Sequence, residues 1–120
     1  MLLENLKVYQ LSMELGEDIW TKVSGWNLFY KDTIGKQIVR AADSVSANIS
    51  EGFGRFYYKD SKNFYYYSRG SLFETKTWLQ KAFTRKLISG KEYNEIINKI
   101  DFLGAILNNY IKSIGPKSPP

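Results

Sequence analysis

The chain contains no cysteine and no histidine. Those two absences exclude disulfides, thiolate nucleophiles, Cys/His zinc sites and imidazole acid–base chemistry, and they suit a reducing, cytoplasmic setting. Proline is nearly missing too: Pro116, Pro119 and Pro120 all lie in the last five residues, so nothing before Gly115 is barred from helix by proline. No apolar run approaches the ~18 to 20 residues of a membrane span, and the opening MLLENLKVYQ lacks a basic start followed by an apolar core. A membrane partner is therefore not expected. Gly52-Phe53-Gly54 is a fragment of a dinucleotide fingerprint without its third glycine, so no cofactor is expected, and Asn48-Ile49-Ser50 is a chance glycosylation sequon.

What is present is a 120-residue chain, 43% hydrophobic and 24% charged, enough for one compact core. Four helical segments fit its periodicity. The first runs from about Asn5, an N-cap candidate, to Val23, with Leu6, Tyr9, Met13, Gly16, Trp20 and Val23 in a three-four rhythm. The connection SGWNLFYKD breaks that rhythm and is expected to fold Trp26, Leu28, Phe29 and Tyr30 over one end of the core. The second helix opens at Asp32, carries Ile34, Ile38, Ala41, Val45 and Ile49 along one stripe, and closes at Gly52-Phe53-Gly54 by a left-handed glycine.

The third helix follows Asp60 and ends near Lys86, with Phe64, Tyr67, Ser71, Thr75, Trp78 and Ala82 facing inward. Ser89-Gly90-Lys91-Glu92 has the form of a capping box. It opens a fourth helix with the seam Tyr93, Ile96, Ile100, Leu103, Leu107, Tyr110 and Ile114. Short connections make neighbours antiparallel, so the expected fold is all-α: an up-down-up-down four-helix bundle over residues 1–114 with a flexible tail at 115–120.

Within the second helix, Arg40, Ser44, Asn48, Glu51 and Arg55 recur on one face. Ser and Asn are poor helix formers, so an ordinary solvated face is a weak explanation of the row. If the second and third helices pair antiparallel about residue 57, facing positions sum to about 114, and Arg40 meets Glu74 while Ser44 meets Gly70 and Ser71. The expectation is a structural polar network of Arg40, Ser44, Asn48, Glu51, Ser71 and Glu74, close helix approach at Gly70, and strong destabilisation by Glu74→Ala. A carboxylate dyad of Glu51 with Glu74 would sit at different levels of the pair, so no catalytic site is expected.

The segment QIVRAADSVSANISEGFGR, followed by Phe64, Gly70-Ser71 and Glu74, resembles the signature of the four-helix-bundle proteins encoded in intervening sequences of 23S rRNA genes. A related group is the accessory protein of diversity-generating retroelements. The resemblance runs from Leu6 to about Ile114, and it departs from the family pattern at Ser50, Tyr66 and Tyr67. It implies a left-handed bundle that assembles as a homo-oligomer, commonly a pentamer, with nucleic-acid association and no enzymatic activity.

Charge is unevenly spread. Between Phe53 and Lys91 stand nine basic residues and two acids, a concentration that implies a polyanion partner, nucleic acid first. On the third helix Lys62, Tyr66, Arg69, Phe73, Lys76 and Gln80 form an outer stripe of alternating rings and cations, with Phe56, Tyr57, Tyr58, Lys59 and Tyr65 nearby. Such pairing suits single strands, where bases stack and phosphates meet cations. Phosphate contacts are assigned to Arg55, Lys59, Lys62, Arg69, Lys76, Lys81, Arg85 and Lys86, and stacking to Tyr57, Tyr58 and Tyr66. The same stripe also suits a subunit interface. Two functions remain open: a non-enzymatic oligomer that binds nucleic acid, RNA preferred, and an oligomeric scaffold that docks a protein partner such as a polymerase or reverse transcriptase.

Overall fold

The computed structural model describes residues 1–116, all helix and connection with no strand among them. Four long helices account for most of it: α1 (Lys7–Ser24), α2 (Lys36–Phe53), α3 (Tyr58–Thr84) and α4 (Gly90–Ser113). α2 packs most extensively on α3, while α1 with α2, α3 with α4, and α1 with α4 complete a closed ring of neighbours. The resulting body is long and narrow, 56 × 23 × 21 Å. The expected tail begins at Gly115, and its residues 117–120 lie outside the described residues.

α2 and α4 bury the stripes their sequences point to. Ile34, Ile38, Ala41, Val45 and Ile49 are all buried, as are Ile96, Ile100, Leu103 and Leu107, with Tyr93, Tyr110 and Ile114 packed against the core. The Ser89 capping box also forms: the Glu92 amide donates to Ser89 Oγ at 3.1 Å and the Ser89 amide donates to Glu92 Oε1 at 2.9 Å. Each bond satisfies an amide that the helix start would otherwise leave unpaired.

Other expectations are corrected. α1 begins at Lys7 after a short 3-10 turn at Leu3–Asn5, and Asn5 does not cap it. Its buried face is Val8, Ser12, Leu15, Gly16, Ile19 and Val23, so Met13 and Trp20 are exposed. Ser12 can be buried because its hydroxyl donates to the Tyr9 carbonyl at 2.8 Å within the same helix.

The connection before α2 is itself helical. Asn27, not Asp32, is the cap, accepting from the Tyr30 amide at 3.2 Å. One turn at Leu28–Tyr30 leads into a π-turn at Lys31–Gly35 that runs straight into α2. Trp26 packs on the core, but Leu28 and Phe29 project outward.

Gly54 ends α2 with a right-handed φ of −81°, so no left-handed glycine is used. The glycine that matters is Gly52: a Cβ there would lie 2.7 Å from the Tyr65 ring and 3.0 Å from the Ser61 carbonyl. Gly70 has open space where a Cβ would stand, so the close approach falls at Gly52 and not at Gly70.

Candidate nucleic-acid interface

The rotation of α3 decides what its side chains can do. Its buried residues are Ser61, Tyr65, Ser68, Leu72, Thr75, Leu79 and Ala82. Thr75 and Ala82 match the expected inner face, whereas Phe64, Tyr67, Ser71 and Trp78 sit to one flank. The true cross-helix polar contact is Ser68 Oγ donating to the Val45 carbonyl at 2.8 Å, fully buried. The α2–α3 register is thus close to the expected one and α2 buries its expected stripe, but α3 is turned about its axis.

That turn dissolves the expected polar network. Ser44 donates to the Arg40 carbonyl at 2.8 Å and Asn48 Nδ2 to the Ser44 carbonyl at 2.8 Å, both inside α2. Glu51 pairs with Arg55 one turn on, at 2.6 Å. The Ser71 carbonyl accepts from Thr75, and Glu74 accepts from Trp78 Nε1 at 3.0 Å. Arg40 and Glu74 form no ion pair, and both are exposed. The physical reason is economy of burial: the Ser44, Asn48, Glu51 and Glu74 side chains each find a partner four residues away on their own helix, leaving the dry seam to apolar and small residues.

The candidate phosphate contacts fall into three groups. Arg55 is held by Glu51, with its guanidinium 4.6 Å from the centre of the Phe64 ring. Arg69 and Lys76 reach across to α4: Arg69 donates to Asn108 Oδ1 at 3.3 Å and lies 5.3 Å from the Tyr66 ring, and Lys76 pairs with Asp101 at 2.8 Å. These two, with Phe73, flank a groove of about 280 Å³ floored by Leu72, Ile100 and Gly104. Lys59, Lys62, Lys81, Arg85 and Lys86 form no ion pair among the described residues.

The free cations lie toward the two ends of α3. A 27-residue helix at ~1.5 Å per residue is about 40 Å long, so the two ends form separate surfaces. At the far end, Lys81 stands 5.9 Å from the Trp78 ring, and Lys86 adopts a left-handed φ of 63° that closes α3. There the Lys86 amide donates to the Phe83 carbonyl at 3.0 Å and the Leu87 amide to the Ala82 carbonyl at 2.9 Å.

At the near end, the α2–α3 corner, Phe56 is 91% exposed and Tyr57 67% exposed, their rings edge to face at 5.0 Å. Tyr57, Tyr58, Lys59 and Asp60 line a shallow hollow of about 300 Å³ beside them. Tyr66 and Tyr67 are also exposed farther along α3. Tyr65 is not available: it is buried against Gly52, its hydroxyl 3.3 Å from that of Tyr110, and burial, then that hydrogen bond, pushes its pKa upward. Phe56 is the residue underrated from sequence, and its place between Gly54 and the start of α3 was the available signal.

The four-helix body thus carries exposed rings and unpaired lysines at one corner, and no metal-holding cluster of acids lies among its described residues. The chain belongs to the 23S rRNA-intervening sequence protein family, whose model matches residues 4–109. It is similar in fold to a solved protein of unknown function from the S23 ribosomal protein family of Bacteroides thetaiotaomicron VPI-5482, with TM-score 0.80 and 24% identity over 88% of this chain and 99% of that one. Among curated proteins, none matches the chain.

Proposed function

We propose that the protein is a non-enzymatic, cytoplasmic homo-oligomer, an up-down-up-down left-handed bundle that binds nucleic acid, RNA preferred, through the α2–α3 corner and the outer face of α3. The observation that carries this reading is the corner itself. Three successive aromatic residues, Phe56, Tyr57 and Tyr58, are exposed beside Lys59 and Lys62, and neither lysine is ion-paired among the described residues. Exposed rings are costly in water and serve well as stacking platforms, while the lysines supply phosphate contacts. The flanking groove between α3 and α4, with Phe73 63% exposed at its side, supports a subunit contact, and the family resemblance favours a pentamer. A ring would repeat the corner and multiply weak contacts.

The test is a titration with single-stranded RNA at several salt concentrations, with light scattering for the oligomer. Each phosphate neutralised on a single strand adds about −0.7 to the slope of log affinity against log salt, so replacing Lys59 and Lys62 by Gln should flatten the slope by about 1.4. Affinity that ignores salt would remove the reading.

The second reading is a protein scaffold for a polymerase or reverse transcriptase. The groove favours it, because Arg69 and Lys76 are already engaged by Asn108 and Asp101 and leave an apolar floor. An oligomer with no RNA affinity would select it.

A further inference from the structure

An open concave site between the end of α1 and the start of α2 has a volume of about 380 Å³. Its apolar walls are Trp20, Val23 and Val39, and its rim carries Lys31, Lys36 and Arg40. No carboxylate lines it, and none of the three cations is ion-paired among the described residues. Like charges gathered without counter-charge repel one another, and an anion relieves that repulsion.

The backbone gathers these cations. In an ordinary α-helix residues five apart point in different directions, so Lys31 and Lys36 would diverge. Here the π-turn lets the Lys36 amide donate to the Lys31 carbonyl, five residues back, which brings the two lysines round toward one face. Arg40 follows one α-helical turn later on the same side as Lys36. The indole of Trp20, 58% exposed, lines the same concavity.

We propose that this pocket binds a nucleotide unit, its base against Trp20 and the two valines and its 5′-phosphate among Lys31, Lys36 and Arg40. The volume suits one nucleotide, within the usual range for small-molecule sites, and apolar walls with few convergent polar groups are what such sites have. A ring face and a phosphate are the two features that the wall and the rim recognise together. The unit has two sources, a free mononucleotide or the 5′ end of a strand. The inference does not rest on the α3 reading, since the pocket lies on α1 and α2.

The test uses the full chain labelled with nitrogen-15. Its three indole signals are assigned by Trp20→Phe, Trp26→Phe and Trp78→Phe, and the probes are 5′-AMP, adenosine, and one RNA oligomer with either a 5′-phosphate or a 5′-hydroxyl. The expected result is a shift of the Trp20 indole and of amides in Lys31–Arg40 with 5′-AMP, weakened at least about tenfold when Lys36 and Arg40 are replaced by Gln, as for loss of a charge-assisted contact. A shift with 5′-AMP assigns a free nucleotide, and a shift only with the 5′-phosphorylated strand assigns a strand end; either supports the pocket. Equal response to adenosine and 5′-AMP would overturn it, as would shifts confined to the α2–α3 corner, which would leave the RNA reading standing. A Trp20 response only to an acidic aromatic peptide would give the site to a protein partner and overturn the nucleotide.

Discussion

Two of the three connections between the long helices, the α3–α4 and α2–α3 corners, are built in opposite ways. At the α3–α4 corner both helix ends are closed by hydrogen bonds: Lys86 and Leu87 close α3, Ser89 and Glu92 open α4, and Lys22 of α1 reaches over to Glu92 at 2.8 Å. Hydrogen bonding from Lys22, then from the Ser89 amide, holds the Glu92 carboxyl down at about 2. At the α2–α3 corner Gly54 simply stops the helix, Tyr57 caps nothing with its side chain, and three aromatic residues face water. The closed corner is a stability device and the open one is a surface. The chain tolerates the second because Gly52, just before it, locks α2 onto α3.

That contrast can be broken by substitution. The largest effect should come from Gly52→Ala, whose new methyl meets the buried Tyr65 ring and a backbone carbonyl; overpacking of this kind costs about 1–3 kcal/mol, read as a lower melting temperature. Next, Ser89→Ala should remove the cap and destabilise by about 1 kcal/mol.

Glu92 sharpens the same corner through pH. Because its folded pKa lies below its ordinary 4.5, its contribution is present above that value and disappears as pH falls toward about 2. Glu92→Gln should lose stability near neutral pH and show less of that acid decline in a pH series of melts. A smaller effect of opposite sign is expected for Lys86→Gly, which relieves a left-handed conformation that lysine adopts poorly and should stabilise by roughly 0.5–1 kcal/mol.

The smallest effects belong to the open corner. Phe56→Ser and Tyr57→Ser should move the melting temperature by no more than about 0.5 kcal/mol equivalent, as for ordinary surface changes. Glu74→Ala belongs with them, contrary to the expectation from its sequence position, since its partner is Trp78 on the same exposed turn. A large loss of stability at Phe56 or Tyr57 would mean that the corner is structural and not a docking surface.

Much of the candidate site was legible in part. The concentration of cations on α3 is plain from composition, and the exposure of Tyr66, Arg69 and Phe73 follows from their spacing. Which cations stay free was not legible, because Asn108, Asp101 and Glu51 compete for Arg69, Lys76 and Arg55, and two of those three competitors come from α4. The Lys31–Lys36–Arg40 rim was invisible for another reason: a π-turn shifts helical phase by one residue, and no spacing rule for α-helix anticipates it.

The sequence by itself determined that this chain is four helices, where α4 starts, and which stripes of α2 and α4 are buried, because apolar spacing and a local capping box need no distant partner. Tertiary structure decided the rotation of α3. Tyr65, Tyr66 and Tyr67 are chemically identical neighbours on a helix with rings on every side, so periodicity gives them no order. Only the missing side chain of Gly52, on another helix, provides the space that takes Tyr65 inward and leaves the other two to the surface.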